Sequence, residues 1–238
     1  MDFYQIVNAT LSFSLPKHCV EEYLIHFNFF NVTCGKIALA KILGYLMIVG
    51  AVFVKFPQIL VLLANKSAKG LSFVSLAFDL MALSFNPAYN YLNRYPFSSW
   101  GDALFVQIQT LIIGFLTMHY SGKSVLGFLL TLMYIAYCYV LTSGMISMDH
   151  LALGISGSIV LVVISRGAQI ISNLRAGSTG QLSFITYFLM FVGCVARVFT
   201  SFQETGDRTM ILNYTVASIL NGIIAFQVPY YKRKEKKD

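Results

Sequence analysis

Charge is what this chain has least of. Only 11% of its 238 residues are Asp, Glu, Lys or Arg, against roughly 25% in soluble globular domains. A soluble fold of this length could not cover its own surface with so few. Equally absent are the signs of chemistry: no glycine-rich phosphate loop, no nucleophile paired with a base, and no metal-ligand spacing around His119, His150 or the carboxylates. No metal, cofactor or catalytic group is expected, and an enzyme is the least favoured class. The first 36 residues also lack an apolar core continuous enough for a signal peptide.

What the chain has is apolar length. Hydrophobic residues make up 57%, with 20 Phe and 14 Tyr, which suits lipid-facing helices and interfacial belts. Seven stretches of about 20 mostly apolar residues, enough to cross a bilayer, fall at 37–56, 71–92, 103–120, 124–144, 150–171, 182–202 and 209–229. The expected fold is an all-α membrane protein. The formal charge of +7 sits largely in Lys232, Arg233, Lys234, Lys236, Lys237 and short loops, so it signals topology and not a nucleic-acid groove; no nucleic-acid partner is expected.

Two segments 111 residues apart say nearly the same thing: Lys55-Phe56-Pro57-Gln58-Ile59 with Ser67 and Leu71-Ser72-Phe73, then Arg166-Gly167-Ala168-Gln169-Ile170 with Ser178 and Leu182-Ser183-Phe184. Gapless self-similarity within hydrophobic sequence marks a duplicated membrane unit, whose sites lie between the copies. The expected plan is an N-terminal segment (1–36), a three-helix repeat (37–120), a linker helix (121–149), a second three-helix repeat (150–229) and a basic tail (230–238). With three helices per copy, the linker returns the chain so that both repeats run parallel. Lys66, Lys69, Lys123, Arg175 and the tail cluster mark one side as cytoplasmic. The N-terminus is then lumenal. Cys19 and Cys34 share that side as a disulfide or as two free thiols, while Cys138 and Cys194 fall within spans as packing residues. Asn8-Ala9-Thr10 and Asn31-Val32-Thr33 are acceptor sequons on the same side.

Phe56-Pro57-Gln58, its Gln169 counterpart and the three-one-three plan resemble the PQ-loop family, which includes the SWEET sugar transporters. Lys66-Ser67-Ala68-Lys69-Gly70-Leu71-Ser72, Pro96-Phe97-Ser98-Ser99-Trp100-Gly101-Asp102-Ala103-Leu104-Phe105, Phe199-Thr200-Ser201-Phe202-Gln203-Glu204-Thr205-Gly206-Asp207 and Leu15-Pro16-Lys17-His18-Cys19 look like one branch of it, the mannose-P-dolichol utilization defect proteins of the endoplasmic reticulum. Ala168 departs from the proline of a second PQ pair, and Asp102 from an expected Glu. The resemblance implies a non-enzymatic membrane factor that makes dolichol-phosphate-linked mannose and glucose usable for N-glycan, O- and C-mannose and GPI-anchor synthesis, by binding, presenting or flipping the lipid. Dolichol-phosphate sugars, membrane lipid and lumenal glycosyltransferases are the implied partners. Two other readings stand beside it: a PQ-loop carrier of sugars or amino acids, and a structural chaperone of a glycosyltransferase. Lys234 and Lys236, fifth and third from the end, resemble an endoplasmic reticulum retrieval signal, or serve as a basic anchor on anionic lipid.

Within the spans, Pro57 should kink the first helix, as a hinge or a static bend, with Gly167 a looser substitute in the second copy. Gln58 and Gln169 can bond across a helix interface. Lys55 and Arg166 either snorkel or form a symmetric cationic mouth for a lipid phosphate. Arg197, 15 residues beyond Leu182 and so about 22 Å into its helix, is a functional-site candidate because an intramembrane charge is costly. Asp79 lies near mid-membrane, about two turns from Arg197 in depth. The shift sets Asn86 opposite Arg197 and Thr110 opposite Asn221; with Asn90, Gln107 and Gln109 these would line the space between repeats. Gly44, Gly50, Gly114, Gly154, Gly157 and Gly193 should permit close helix approach, and Trp100 should anchor at the interface.

Overall fold

The computed structural model describes residues 15–68, 71–179 and 184–235. Among them the chain is helical throughout: α1 (Lys17–Leu24), α2 (Val32–Val54), α3 (Phe56–Asn65), α4 (Phe73–Leu92), a 3-10 turn (Phe97–Ser99), α5 (Gly101–Tyr120), α6 (Ser124–Thr142), α7 (Met148–Ala176), α8 (Phe184–Glu204) and α9 (Arg208–Glu235). Six helical segments, with α2 and α3 taken together, are long and apolar enough to cross a bilayer. The remaining long helix, α4, is 20 residues but carries Asp79, Asn86, Asn90 and an internal Pro87. It can cross only with those groups turned from lipid.

Local chemistry sets the helix ends. α2 begins before residue 37 because Asn31 caps it, its Oδ1 accepting from the Thr33 and Cys34 amides at 3.1 and 3.2 Å. Ser72 caps α4 on the Ser75 amide. α7 runs beyond residue 171 and stops where Gly177 takes φ +61, a left-handed C-terminus that suits glycine. Cys19 and Cys34 are disulfide-bonded, tying α1 to the start of α2, with Leu15 and Val20 buried beside them.

The expected break is present in one copy only. α2 ends at Val54 and α3 starts at Phe56, so the first span breaks at Lys55 with Pro57 in the first turn of the new helix, where its missing N–H costs nothing. In the second copy α7 passes through Gly167-Ala168-Gln169 unbroken. Without a ring to displace the preceding carbonyl, nothing there forces a break.

Helix packing forms a ring in the order α2, α5, α4, α7, α9, α8 and back to α2, with the linker helix α6 outside it against α4 and α5. In each three-helix unit the third helix lies between the first two. We call the side where α9 ends the tail face and the side bearing α1 the far face. The units touch through α2 with α8 and through α4 with α7. Two glycines permit close approach, Gly44 within the first unit and Gly154 across the α4–α7 seam. A Cβ on Gly44 would stand 2.6 Å from the Ser98 carbonyl oxygen, and one on Gly154 2.4 Å from Phe85 Cδ1. The expectation of close approach fails at Gly50, Gly157 and Gly193, which have nothing within 4 Å, and Gly114 makes only an ordinary contact with Leu80. Those three face outward along their helices and not into a seam.

Candidate functional site

The far face is fastened. Arg197, on α8 and only 4% exposed, puts Nη2 2.5 Å from Asp102 Oδ1 and donates Nη1 to the carbonyls of Ser98 and Ser99 at 3.3 and 2.9 Å. Beside it, Lys41 of α2 pairs with Glu204 at 3.1 Å, and both reach the Ser98 hydroxyl. A third tie joins the Tyr89 and Tyr95 hydroxyls to the Asp207 carboxylate at 2.6 and 3.1 Å. Burial pushes the Asp207 carboxyl up, but bonds from Tyr89, the Met210 amide and Tyr95 outweigh it and hold the group below the usual carboxylate value. Asn86 donates to the Tyr214 hydroxyl at 3.4 Å and accepts from Asn90. These hydrogen bonds and ion pairs between the two units lie in the far half.

The tail half is different: each unit carries one cation there, held by partners from its own unit. In the first, Lys55 donates to Thr110 at 2.7 Å and lies in the field of Asp79. In the second, Arg166 lies 5.5 Å over the Tyr187 ring, with Nη1 3.4 Å from the Tyr187 hydroxyl and Nη2 3.6 Å from Met190 Sδ. Met190 stands 111 residues after Asp79. In both copies the same two positions interact, through the field of a carboxylate in the first and a thioether contact in the second. Arg166 has no carboxylate partner among the described residues. The field of Arg166 reaches Cys194, whose Sγ accepts from Asn221 Nδ2 at 3.7 Å. Asn221 Oδ1 is buried and unpartnered. Asp79 is exposed, which in a bilayer is tolerable only toward a wet cleft.

The predicted residues thus divide. Arg197 and Asn86 meet around Tyr214, which feels the charges of Arg197 and Asp102. Lys55, Thr110 and Asp79 form a second group; Arg166 and Asn221 form a third. Gln107 and Gln109 do not line the space between repeats: Gln107 bonds Tyr134 on α6 at 2.7 Å, and Gln109 bonds the Ala51 carbonyl and Lys55 amide. Their side of α5 faces neighbouring helices. Gln169 joins Asn173 and Gln227 in a chain that binds α7 to α9, while no hydrogen bond of the Gln58 side chain is seen among the described residues. Trp100 donates to the Tyr95 carbonyl. The Lys234 side chain and Lys236 lie outside the described residues. Sequence reasoning missed Lys41 and Glu204, although Lys41 lies inside an apolar stretch and the rule applied to Arg197 covers it equally. Tyr187, Tyr214 and Asp207 carried no such signal.

Comparison with known proteins fits this geometry. The PQ-loop repeat model matches residues 39–99 and 152–208. This is a PQ-loop membrane protein. The two matches cover most of the first two helices of each unit, with both cationic positions inside them. The chain is also 25% identical over 182 residues to solute carrier family 66 member 3 of Homo sapiens, covering 75% of this chain and 87% of that one. No solved structure matches.

Proposed function

We propose that this PQ-loop protein is a non-enzymatic factor of the endoplasmic reticulum membrane that binds dolichol-phosphate-linked mannose and glucose in the cleft between its repeats. The observation that carries the reading is Arg166, an intramembrane guanidinium without a carboxylate. A phosphate meets that need with charge-assisted, often bidentate bonds. Asn221 offers an unpartnered amide oxygen close by for a sugar hydroxyl. Resemblance of the Trp100 and Glu204 strings to the mannose-P-dolichol utilization defect branch supplies the lipid's identity. The disulfide favours an oxidising lumen on the far face, with the basic tail in the cytoplasm, and Lys234 and Lys236 acting in retrieval. Handing the lipid to lumenal glycosyltransferases is the step that follows.

Solute transport is the second reading, favoured by one observation: the 25% identical relative is named a solute carrier. One experiment separates the two. Purified protein is titrated with dolichyl phosphate mannose, dolichyl phosphate and free mannose. The lipid reading expects binding of both dolichyl compounds, and a loss of at least about tenfold in Arg166→Gln, the worth of one hydrogen-bonded charge. Equal or tighter binding of free sugar, indifferent to Arg166, sinks it and favours the carrier. Localisation has its own check: a C-terminal tag should be cytoplasmic and the N-terminus protected, and replacing Lys234 and Lys236 by Ala should release the protein to later compartments.

A further inference from the structure

Outside the ring, the linker helix leaves a groove against α4 and α5 with the buried side chain of Gln107 in its wall. Near the far face a cavity of about 510 Å³ is lined by Ser84, Trp100, Leu104, Gln107, Cys138 and Thr142, among others. Further along the same three helices toward the tail face lies a smaller apolar cavity of about 230 Å³, lined by Phe73, Phe115, Tyr134 and Tyr137 among others. The two are separated by the Gln107–Tyr134 contact at 2.7 Å. No residue lining either one is charged.

Gln107 is 7% exposed, and its amide is half used. Nε2 faces Tyr134, Ser84 and Cys138 at 2.7, 3.4 and 3.4 Å, while Oε1 has no partner. Turning the amide over exchanges the atoms but still leaves one without a bond. An unmet buried amide atom is costly, more so in hydrocarbon where water is scarce. The occupant must therefore bring a neutral group that serves either as donor or as acceptor, which is a hydroxyl. It must bring no charge, since nothing in the groove would balance a phosphate or an ammonium. It must also lie against the rings of Phe73, Phe115, Tyr134 and Tyr137, which a rigid ring body does well.

We propose that the groove between α4, α5 and α6 is a sterol site, the sterol hydroxyl bonding Gln107 and its ring body lying against Tyr134 and Phe115 toward mid-membrane. Gln107 stands six residues into α5 from Gly101, about 9 Å from the helix start. That is a depth a hydroxyl reaches just below the head groups. The site is separate from the cleft between the repeats, so it does not depend on what the cleft binds. By holding α6 against the first unit, a bound sterol would brace the one helix that the ring leaves outside.

The test uses the full-length protein in nanodiscs with photoactivatable, clickable lipid probes, the labelled peptides being mapped. The expected result is labelling of α4 to α6 by a sterol probe, at least about threefold stronger than by its 3-O-methyl ether, the net worth of one hydrogen bond. In Gln107→Leu that preference should vanish while the methyl ether still labels, which shows the groove intact. Leu104→Trp, filling the upper cavity, should reduce both. Labelling by sterol and ether alike in the unaltered protein overturns the proposal. So does stronger labelling of the same peptides by diacylglycerol, polyprenol or phospholipid probes, or sterol labelling confined to other helices.

Discussion

Arg197 is bound to Asp102 across the seam between the two repeats, the guanidinium Nη2 lying 2.5 Å from the carboxylate. In sequence Arg197 is the intramembrane charge most in need of a ligand. In the structure the need is met from within, by the N-terminus of α5 and the carbonyls of the 3-10 turn. Asp102 stands where the sequence resemblance led to an expected Glu, and its shorter carboxylate still reaches. Among the described residues, Arg166, the repeat-equivalent of Lys55, has no carboxylate partner.

Arg197→Met should therefore act first on stability. Removing one partner of a buried, hydrogen-bonded pair leaves the other charge and two carbonyls unmet, a loss on the order of 3 kcal/mol. The apparent Tm in detergent should fall by several degrees. Adding Asp102→Leu should restore part of it, because no orphan carboxylate remains. An unchanged Tm in Arg197→Met would return that residue to the list of ligands.

Asp207 gives a pH signature. Its folded-state carboxyl is held below its ordinary value by Tyr89, Tyr95 and the Met210 amide. A depressed carboxyl contributes stability that is present above the unfolded value, near 3.9, and is lost as pH falls through the lower folded value. The Tm difference between the unaltered protein and Asp207→Asn should be constant from about pH 8 to 5 and shrink below about pH 4. A difference that instead disappears near neutrality would place another group in control of the tie.

Gly44 and Gly50 form a matched pair for packing. A Cβ at Gly44 meets the Ser98 carbonyl at 2.6 Å, whereas one at Gly50 meets nothing. Gly44→Ala should cost about 1–3 kcal/mol by overpacking and loosen the Lys41–Glu204 pair beside it; Gly50→Ala should be neutral or slightly stabilising. Thermal unfolding of the two variants side by side checks that contact.

Much of this fold is legible in sequence because hydrophobic length and a gapless repeat are one-dimensional facts. The spans, the linker helix and the all-helical class follow from them. What is not legible is rotation. Gln107 and Gln109 are two residues apart and point to different neighbours, α6 and α2, and only the packing of α5 decides which. Glycines show the same limit: Gly44 and Gly50 read alike until the Ser98 carbonyl is placed beside one of them. The PQ break fails to repeat because a proline acts on its own helix, and Ala168 cannot do so. Most instructive is Arg166. The shift of 111 residues pairs it with Lys55, yet the difference that leaves it without a carboxylate is at Met190, a residue that no rule about charges or polar motifs would single out.

That difference can be reversed. Asp79 stands near Lys55 in the first repeat, so its equivalent, Met190, with Sδ 3.6 Å from Arg166 Nη2, is a position from which a carboxylate can reach the guanidinium. Met190→Asp should neutralise Arg166 as Lys55 is accompanied in the first copy, without breaking a seam between the units. Folding should survive, since the new carboxylate arrives with its counter-ion in place. Binding of a phosphate-bearing lipid should fall by at least about tenfold, as in Arg166→Gln, whereas Met190→Leu, which fills the space without charge, should bind normally. Combining Met190→Asp with Arg166→Gln should do worse than either alone, because the new carboxylate then has no counter-ion and repels the phosphate. Full binding by Met190→Asp with a folded Tm would show that the phosphate does not meet Arg166, and the cleft would have to hold its ligand through the first repeat instead.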